Sequence, residues 1–231
     1  MKAALIRLVL GAIQVFDRWR LQRLMRLHPG LSVHPEASSN FASARFELGH
    51  GARVRIEAGV HTERRRDGVR ICVGDGGELV LGEASWLRSD VAPVHLAVFS
   101  GGRLHVGRDA FLNGCHLSSK EKVEIGVAVM VGSGSRVFDA DQHPLDAARP
   151  ERLEAVSIGD YVWIASDVTV LRGVTIGSHS VVGARSVVAR SIEPHVVAAG
   201  SPAKPLGTVG DRGEPMEEWA RQVRAGLGGL V

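Results

Sequence analysis

Residues 158–193 read IGDYVW IASDVT VLRGVT IGSHSV VGARSV VARSIE, and an aliphatic residue opens each six: Ile158, Ile164, Val170, Ile176, Val182 and Val188. The position after it is mostly tiny (Gly159, Ala165, Gly177, Gly183, Ala189), and the fourth after it is Val162, Val168, Val174, Ser180, Ser186 or Ile192. A period of six fits neither a 3.6-residue helix nor a two-residue alternation. It is the signature of a parallel β-helix, in which stacked coils bury one another's inward aliphatics. The small neighbour is expected at a corner, where a larger side chain would crowd the next coil and glycine accepts unusual φ.

Outward from this stretch the repeat weakens but persists. Leu48-Gly49, Val73-Gly74, Leu81-Gly82, Val106-Gly107, Ile125-Gly126 and Val131-Gly132 are expected corners. Residues 54–57 and 78–81 read as short strands. Val106 to Ile125 is 19 residues, so a bulge is expected between them. The repeat breaks at 138–157, where Phe138-Asp139-Ala140-Asp141-Gln142-His143-Pro144-Leu145-Asp146 cannot be a hexad and Pro144 and Pro150 stop regular pairing. A loop thrown out of a rigid solenoid is where function is expected.

Residues 2–27 contain no proline and read as a helix ended by His28-Pro29-Gly30. Leu5, Leu8, Val9, Ala12, Ile13, Phe16 and Trp19 form its broad apolar face, opposite Arg7, Gln14 and Arg18. The apolar run is too short to span a bilayer, which takes ~20 residues. It also lacks a small-x-small cleavage site for a signal peptide. Two readings stand: a cap on the open end of the solenoid, or an interfacial anchor on the inner face of a membrane. At the other end, Pro215 opens a helix to Ala225 with Met216, Trp219 and Val223 on one face. The expected division is residues 1–30 as the amphipathic helix, 31–206 as the solenoid and 207–231 as a tail and helix.

Composition agrees with a slender core: 45% hydrophobic residues, only 5% aromatic, and 28 glycines without a three-residue period. The net charge of +3 is uneven, because residues 1–30 carry six basic groups against Asp17 and the rest carries 22 basic and 24 acidic groups. The body therefore gives no case for nucleic acid. Cys72 and Cys115 supply neither a disulfide framework nor a CxxC spacing, so a reducing cytoplasm is expected.

From Val106 to Leu206 five landmarks occur in order: Phe111-Leu112-Asn113-Gly114-Cys115, the loop around His143-Pro144, Val162-Trp163-Ile164-Ala165, Gly183-Ala184-Arg185-Ser186-Val187-Val188, and Ala199-Gly200-Ser201-Pro202-Ala203. They resemble the maltose, galactoside and xenobiotic O-acetyltransferase group of the hexapeptide-repeat acyltransferases. The resemblance implies an all-β solenoid, a left-handed parallel β-helix of 18-residue triangular coils. Assembly as a homotrimer, with the site between subunits, is implied as well. It also implies transfer of acetyl from acetyl-CoA to a sugar or glycan hydroxyl without a covalent intermediate or a metal.

In that reading His143 is the general base, since an imidazole with a pKa near ~6.5 can take the hydroxyl proton at neutral pH. Asp139 or Asp141 orients its ring. Asn113 holds the acceptor, its amide offering both donor and acceptor groups. Trp163 walls the acetyl-CoA groove, backbone N–H groups near Ala165 and Ser166 meet the thioester, Ala184 lies along the pantetheine, and Arg190 and Lys204 meet phosphate. Ala189 and Gly207 depart from the pattern, where a Thr and a basic residue are frequent. The alternatives are N-acyl transfer to an amino or nucleotide sugar, a γ-carbonic-anhydrase-like metalloenzyme, and a non-catalytic assembly module. His95, His105 and His116 lack the His-x-x-x-x-His spacing of the anhydrase, and the large N-terminal domain of serine acetyltransferases is not matched.

Overall fold

The computed structural model describes residues 2–227, and within them the side chains of 2–5, 7, 220, 221 and 223–227 fall outside the description. Leu5, Arg7 and Val223, assigned above to helix faces, are among these. Short parallel strands stack into three sheets, and the chain visits sheet I, then II, then III in each coil. Sheet I includes Glu78–Leu81, Arg103–Val106, Lys122–Ile125, Val156–Ile158 and Thr175–Ile176. Sheet II includes Trp86–Arg88, Phe111–Asn113, Met130–Val131, Trp163–Ile164 and Val181–Val182. Sheet III includes Val69–Val73, Val94–Val98, His116–Ser119, Arg136–Phe138, Thr169–Val170 and Val187–Val188.

The hexads account for this directly. Ile158, Ile164, Val170, Ile176, Val182 and Val188 are all buried, as are Val162, Val168, Val174, Ser180, Ser186 and Ile192. Each hexad thus turns two side chains inward, one from the strand and one from the corner. The inward serines do not leave their hydroxyls orphaned. Ser180 Oγ donates to the Glu193 carbonyl at 2.9 Å, and Ser186 Oγ accepts from Gly200 N–H at 3.0 Å.

The corner glycines are small for clearance rather than for φ. A Cβ on Gly159 would lie 2.7 Å from Ser178 N, and one on Gly177 2.3 Å from Pro194 N. The left-handed backbone falls two residues later, on Tyr161 (φ 58°) and His179 (φ 64°).

Coil length is not constant. Ser157 pairs with Thr175 and Trp163 with Val181, the 18-residue coil the resemblance implies. Nearer the N-terminus, Glu78 pairs with Arg103 and Val69 with Val94, a spacing of 25 residues. Those coils have four- and five-residue strands, such as Val69–Val73 and Val94–Val98, where the last coils have two. Val106 pairs with Ile125 in a 19-residue coil between the two regimes.

Helix α1 (Lys2–Leu27) meets the first coil at its C-terminal half. Leu21 is buried, Leu24 and Met25 pack on the core, and buried Asp17 is bonded to Arg64 Nε at 2.7 Å. The apolar face drawn from the sequence does not make this contact: Leu8, Val9, Phe16 and Trp19 are exposed. Helix α2 (Gly213–Leu227) folds back over sheet II, with Met216 buried and the Trp219 ring 5.0 Å from Phe111.

Candidate active site

Register places the outward side chains of sheet II in one row: Trp86, Phe111, Met130, Trp163 and Val181. The upper part of the row is closed by contacts among Trp86, Phe111 and Trp219. Trp163 remains 42% exposed, although the Arg212 guanidinium lies 5.7 Å from its ring centroid. Arg212 is fixed there by donating from Nε to the Tyr161 carbonyl at 3.1 Å and from its backbone N–H to His179 Nδ1 at 3.0 Å. Desolvation pushes the Arg212 pKa down from its ordinary value. Nothing in the local sequence announces Arg212, because its partners lie some 33 to 51 residues away.

Two residues beyond this row, the corner from sheet II to sheet III aligns Asn113, Gly132, Ala165 and Gly183 in successive coils. Asn113, Ala165, Ser166 and Ala184 therefore share one edge of the prism. Asn113 Oδ1 is buried without a hydrogen-bond partner among the described residues. Ala165 cannot offer its amide to a ligand, since its N–H donates to the Val182 carbonyl at 3.0 Å and its carbonyl accepts from Ser135 Oγ at 2.7 Å. That part of the expected thioester contact is corrected. The Ser166 and Ala184 N–H groups have no backbone acceptor among the described residues, and both residues are exposed.

His143 is on the other side of sheet III. Its loop leaves after Phe138 and returns at Val156 of sheet I. The loop is tied down at its base. Asp139 is fully buried and accepts from the N–H groups of Lys120, Glu121 and Lys122 at 2.7–2.8 Å and from Ser119 Oγ at 2.9 Å. Asp141 accepts from Arg172 Nε, and this bond holds its carboxyl below the usual carboxylate range. Arg172 also reaches Glu154 at 2.6 Å, and Lys120 Nζ reaches Glu151 at 2.7 Å.

Neither aspartate touches His143, whose exposed imidazole has no hydrogen bond among the described residues. The two carboxylates build the loop rather than orient the ring within one chain. Arg172, to which the sequence reading gave no role, is the cation that anchors it.

The two cations expected at phosphate are both exposed but separated. Arg190 follows the last strand of sheet III, whereas Lys204 lies on Ala203–Thr208, the edge strand of sheet II, opposite Ala199. Between the Asn113 corner and the loop, the outer face of sheet III carries His95 and His116, with ring centroids 4.5 Å apart. Cys72 Sγ lies 3.8 Å from His95 Nε2. Burial pushes the Cys72 thiol up, and pushes the His116 pKa down to about 4 with help from His95 and Arg136.

Residues 155–190 match the bacterial transferase hexapeptide family (six repeats). A Schizosaccharomyces pombe protein named as a candidate acetyltransferase is 42% identical over 111 residues, 46% of this chain and 53% of its own. The galactoside O-acetyltransferase of Escherichia coli K12 is 33% identical over 137 residues, 57% of this chain and 64% of its own. The chain thus spans less than two thirds of the length of either relative. Among solved structures, the polySia specific acetyltransferase NeuO aligns over 84% of this chain and 100% of its own, with a TM-score of 0.56 at 19% identity. That likeness shows a shared fold, and the solenoid is accordingly a left-handed parallel β-helix.

Proposed function

We propose that this chain, a member of the hexapeptide-repeat acyltransferase superfamily, transfers acetyl from acetyl-CoA to a saccharide hydroxyl, with His143 as the base. The observation that carries the reading is the orphaned Asn113 Oδ1, on the same edge of the prism as Ala165 and Ser166 and two coils above them, where exposed Trp163 leads into the corner. Leaving a buried amide oxygen unpaired costs about 1–3 kcal/mol. A hydroxyl donor arriving at that corner recovers this cost, and the Asn113 amide N–H₂ can donate to an oxygen of the same sugar. The saccharide class is favoured by the relative named for acetylating galactoside oxygen.

The groove residues fit the cosubstrate. Trp163 gives a flat wall, the Ser166 and Ala184 amides are unspent donors, and Lys204 and Arg190 supply positive charge for phosphates. When bound, acetyl-CoA supplies the acetyl group as an activated thioester. His143 takes the acceptor's hydroxyl proton as the new C–O bond forms, and returns it to the departing thiolate as the C–S bond breaks. The exposed ring is free for this work because no described residue of its own chain holds it. Asn113 and His143 lie at opposite edges of sheet III, so one chain presents two half-sites. A homotrimer brings the His143 loop of one subunit to the Asn113 corner of its neighbour, and the protein acts in the cytoplasm.

The test is turnover with labelled acetyl-CoA against a panel of sugars and glycans. His143→Ala is expected to lose about 10²- to 10⁴-fold in turnover, with CoA binding and melting unchanged. The product is expected to release its label in mild alkali as an ester does. Unchanged turnover removes His143 from the reaction, and an alkali-stable product moves the acceptor to an amine.

A further inference from the structure

We propose that the face of α1 turned away from the solenoid is a docking surface for an anionic lipid membrane. The inward side of the helix is set by Asp17, 0% exposed and bonded to Arg64, and by Leu21, 2% exposed. At 3.6 residues per turn, the opposite side carries Leu8, Ala12, Val15, Phe16 and Trp19. Leu8 and Val15 are each 71% exposed, and the Phe16 and Trp19 rings are stacked on each other at 5.8 Å, both more than half exposed. A cleft of about 510 Å³ lined by Phe16, Trp19, Leu24, Ala44 and Phe46 continues the apolar surface from the edge of this side round to the solenoid. Patches of this kind on an otherwise polar surface mark an interaction site.

The charge on the same face selects the occupant. Past Trp19 the outward side continues with Arg23 and Arg26, both exposed, and the Arg23 guanidinium lies 6.0 Å from the Trp19 ring centroid. Asp17 is the only acidic residue in α1, and its charge is spent on Arg64. The face therefore combines apolar side chains with cations that have no acidic partner among the described residues. A second copy packed helix to helix in parallel would oppose arginine to arginine. An anionic leaflet answers both features, taking the apolar side chains to the level of its headgroups while phosphates meet the guanidinium groups. No helix among the described residues is long and apolar enough to cross a membrane, so α1 lies in the interface plane.

Flotation of the full chain with vesicles tests this independently of acetyl transfer. The protein is expected to float with vesicles of phosphatidylglycerol in phosphatidylcholine and to stay behind with phosphatidylcholine alone. Arg23→Glu with Arg26→Glu should lower binding at least about tenfold. Val15→Glu, at a side chain 71% exposed, should abolish binding with an unchanged melting midpoint. The proposal fails if neither vesicle carries the protein, or if both variants float like the parent. It also fails if Val15→Glu splits an oligomer in the absence of vesicles, which would make the face an interface between copies.

Discussion

Gly177 and Gly207 are one amino acid in two situations, and they separate clearance from backbone freedom. A Cβ on Gly177 would sit 2.3 Å from Pro194 N, a backbone atom of the coil below that cannot swing aside. Nothing lies within 4 Å of one on Gly207, on the exposed edge strand. Neither residue has the left-handed φ that favours glycine. Gly177→Ala is therefore expected to destabilise by about 1–3 kcal/mol through overpacking. Gly207→Ala should be neutral or stabilise by about 0.4–1 kcal/mol by restricting the unfolded chain. Urea unfolding of the two variants decides it, and equal shifts in both would refute the clearance argument. The small second residue of most hexads was legible as a corner, and of its two expected causes the crowding of the next coil holds for Gly177 while an unusual φ does not. The close approach belongs to the neighbouring coil, which a single hexad does not display.

At the scale of elements, legibility follows how local the determining contacts are. The coils from Ile158 onward were readable because each inward position repeats at six, and every one of them is buried. The 25-residue coils nearer the N-terminus were not, because strands such as Val94–Val98 add an inward residue and break the period. The orientation of α1 was misread for a related reason. Its apolar residues nearly encircle it, and the side facing the solenoid is chosen by Asp17 meeting Arg64, 47 residues away. Likewise the roles of Asp139 and Asp141 depend on the turn at 119–122 and on Arg172.

Sheet III carries a consequence of the same non-local kind. Burial, aided by His95 and Arg136, pushes His116 down to about 4, and His95 is lowered by burial and Arg70, with Glu47 acting the other way. An unfolded imidazole titrates near ~6.5, so the unfolded chain takes up protons first as pH falls. Stability from these neutral rings is complete above about 6.5 and drains away as pH drops toward about 4. Urea midpoints at pH 7, 5.5 and 4 should fall in that order, and His116→Gln should flatten the fall. A profile unaffected by the substitution would mean the pair carries no such linkage.

At the scale of the molecule, the decisive feature is the distance in topology between Asn113 and His143. Asn113 ends a strand of sheet II, and the His143 loop departs from the far side of sheet III, so the prism itself keeps them on different edges. The sequence order of the two motifs disguised this, because along the chain they lie only one coil apart. If the proposed site is completed between subunits, each site takes its histidine from one chain and its asparagine from the next. Two inactive proteins, His143→Ala and Asn113→Ala, should then rescue each other when refolded together. In a randomly mixed cyclic trimer a site is intact only when an Asn113→Ala chain supplies His143 and the neighbouring His143→Ala chain supplies Asn113. Two independent choices between equal pools give about one quarter of the parental activity. A site contained in one chain gives none, because every chain then lacks one of the two groups. Activity of the mixture measured against each variant alone, with mass in solution showing a trimer throughout, separates the two arrangements. A mixture as inactive as its components, in trimers shown to have exchanged subunits, would return both residues to a single chain.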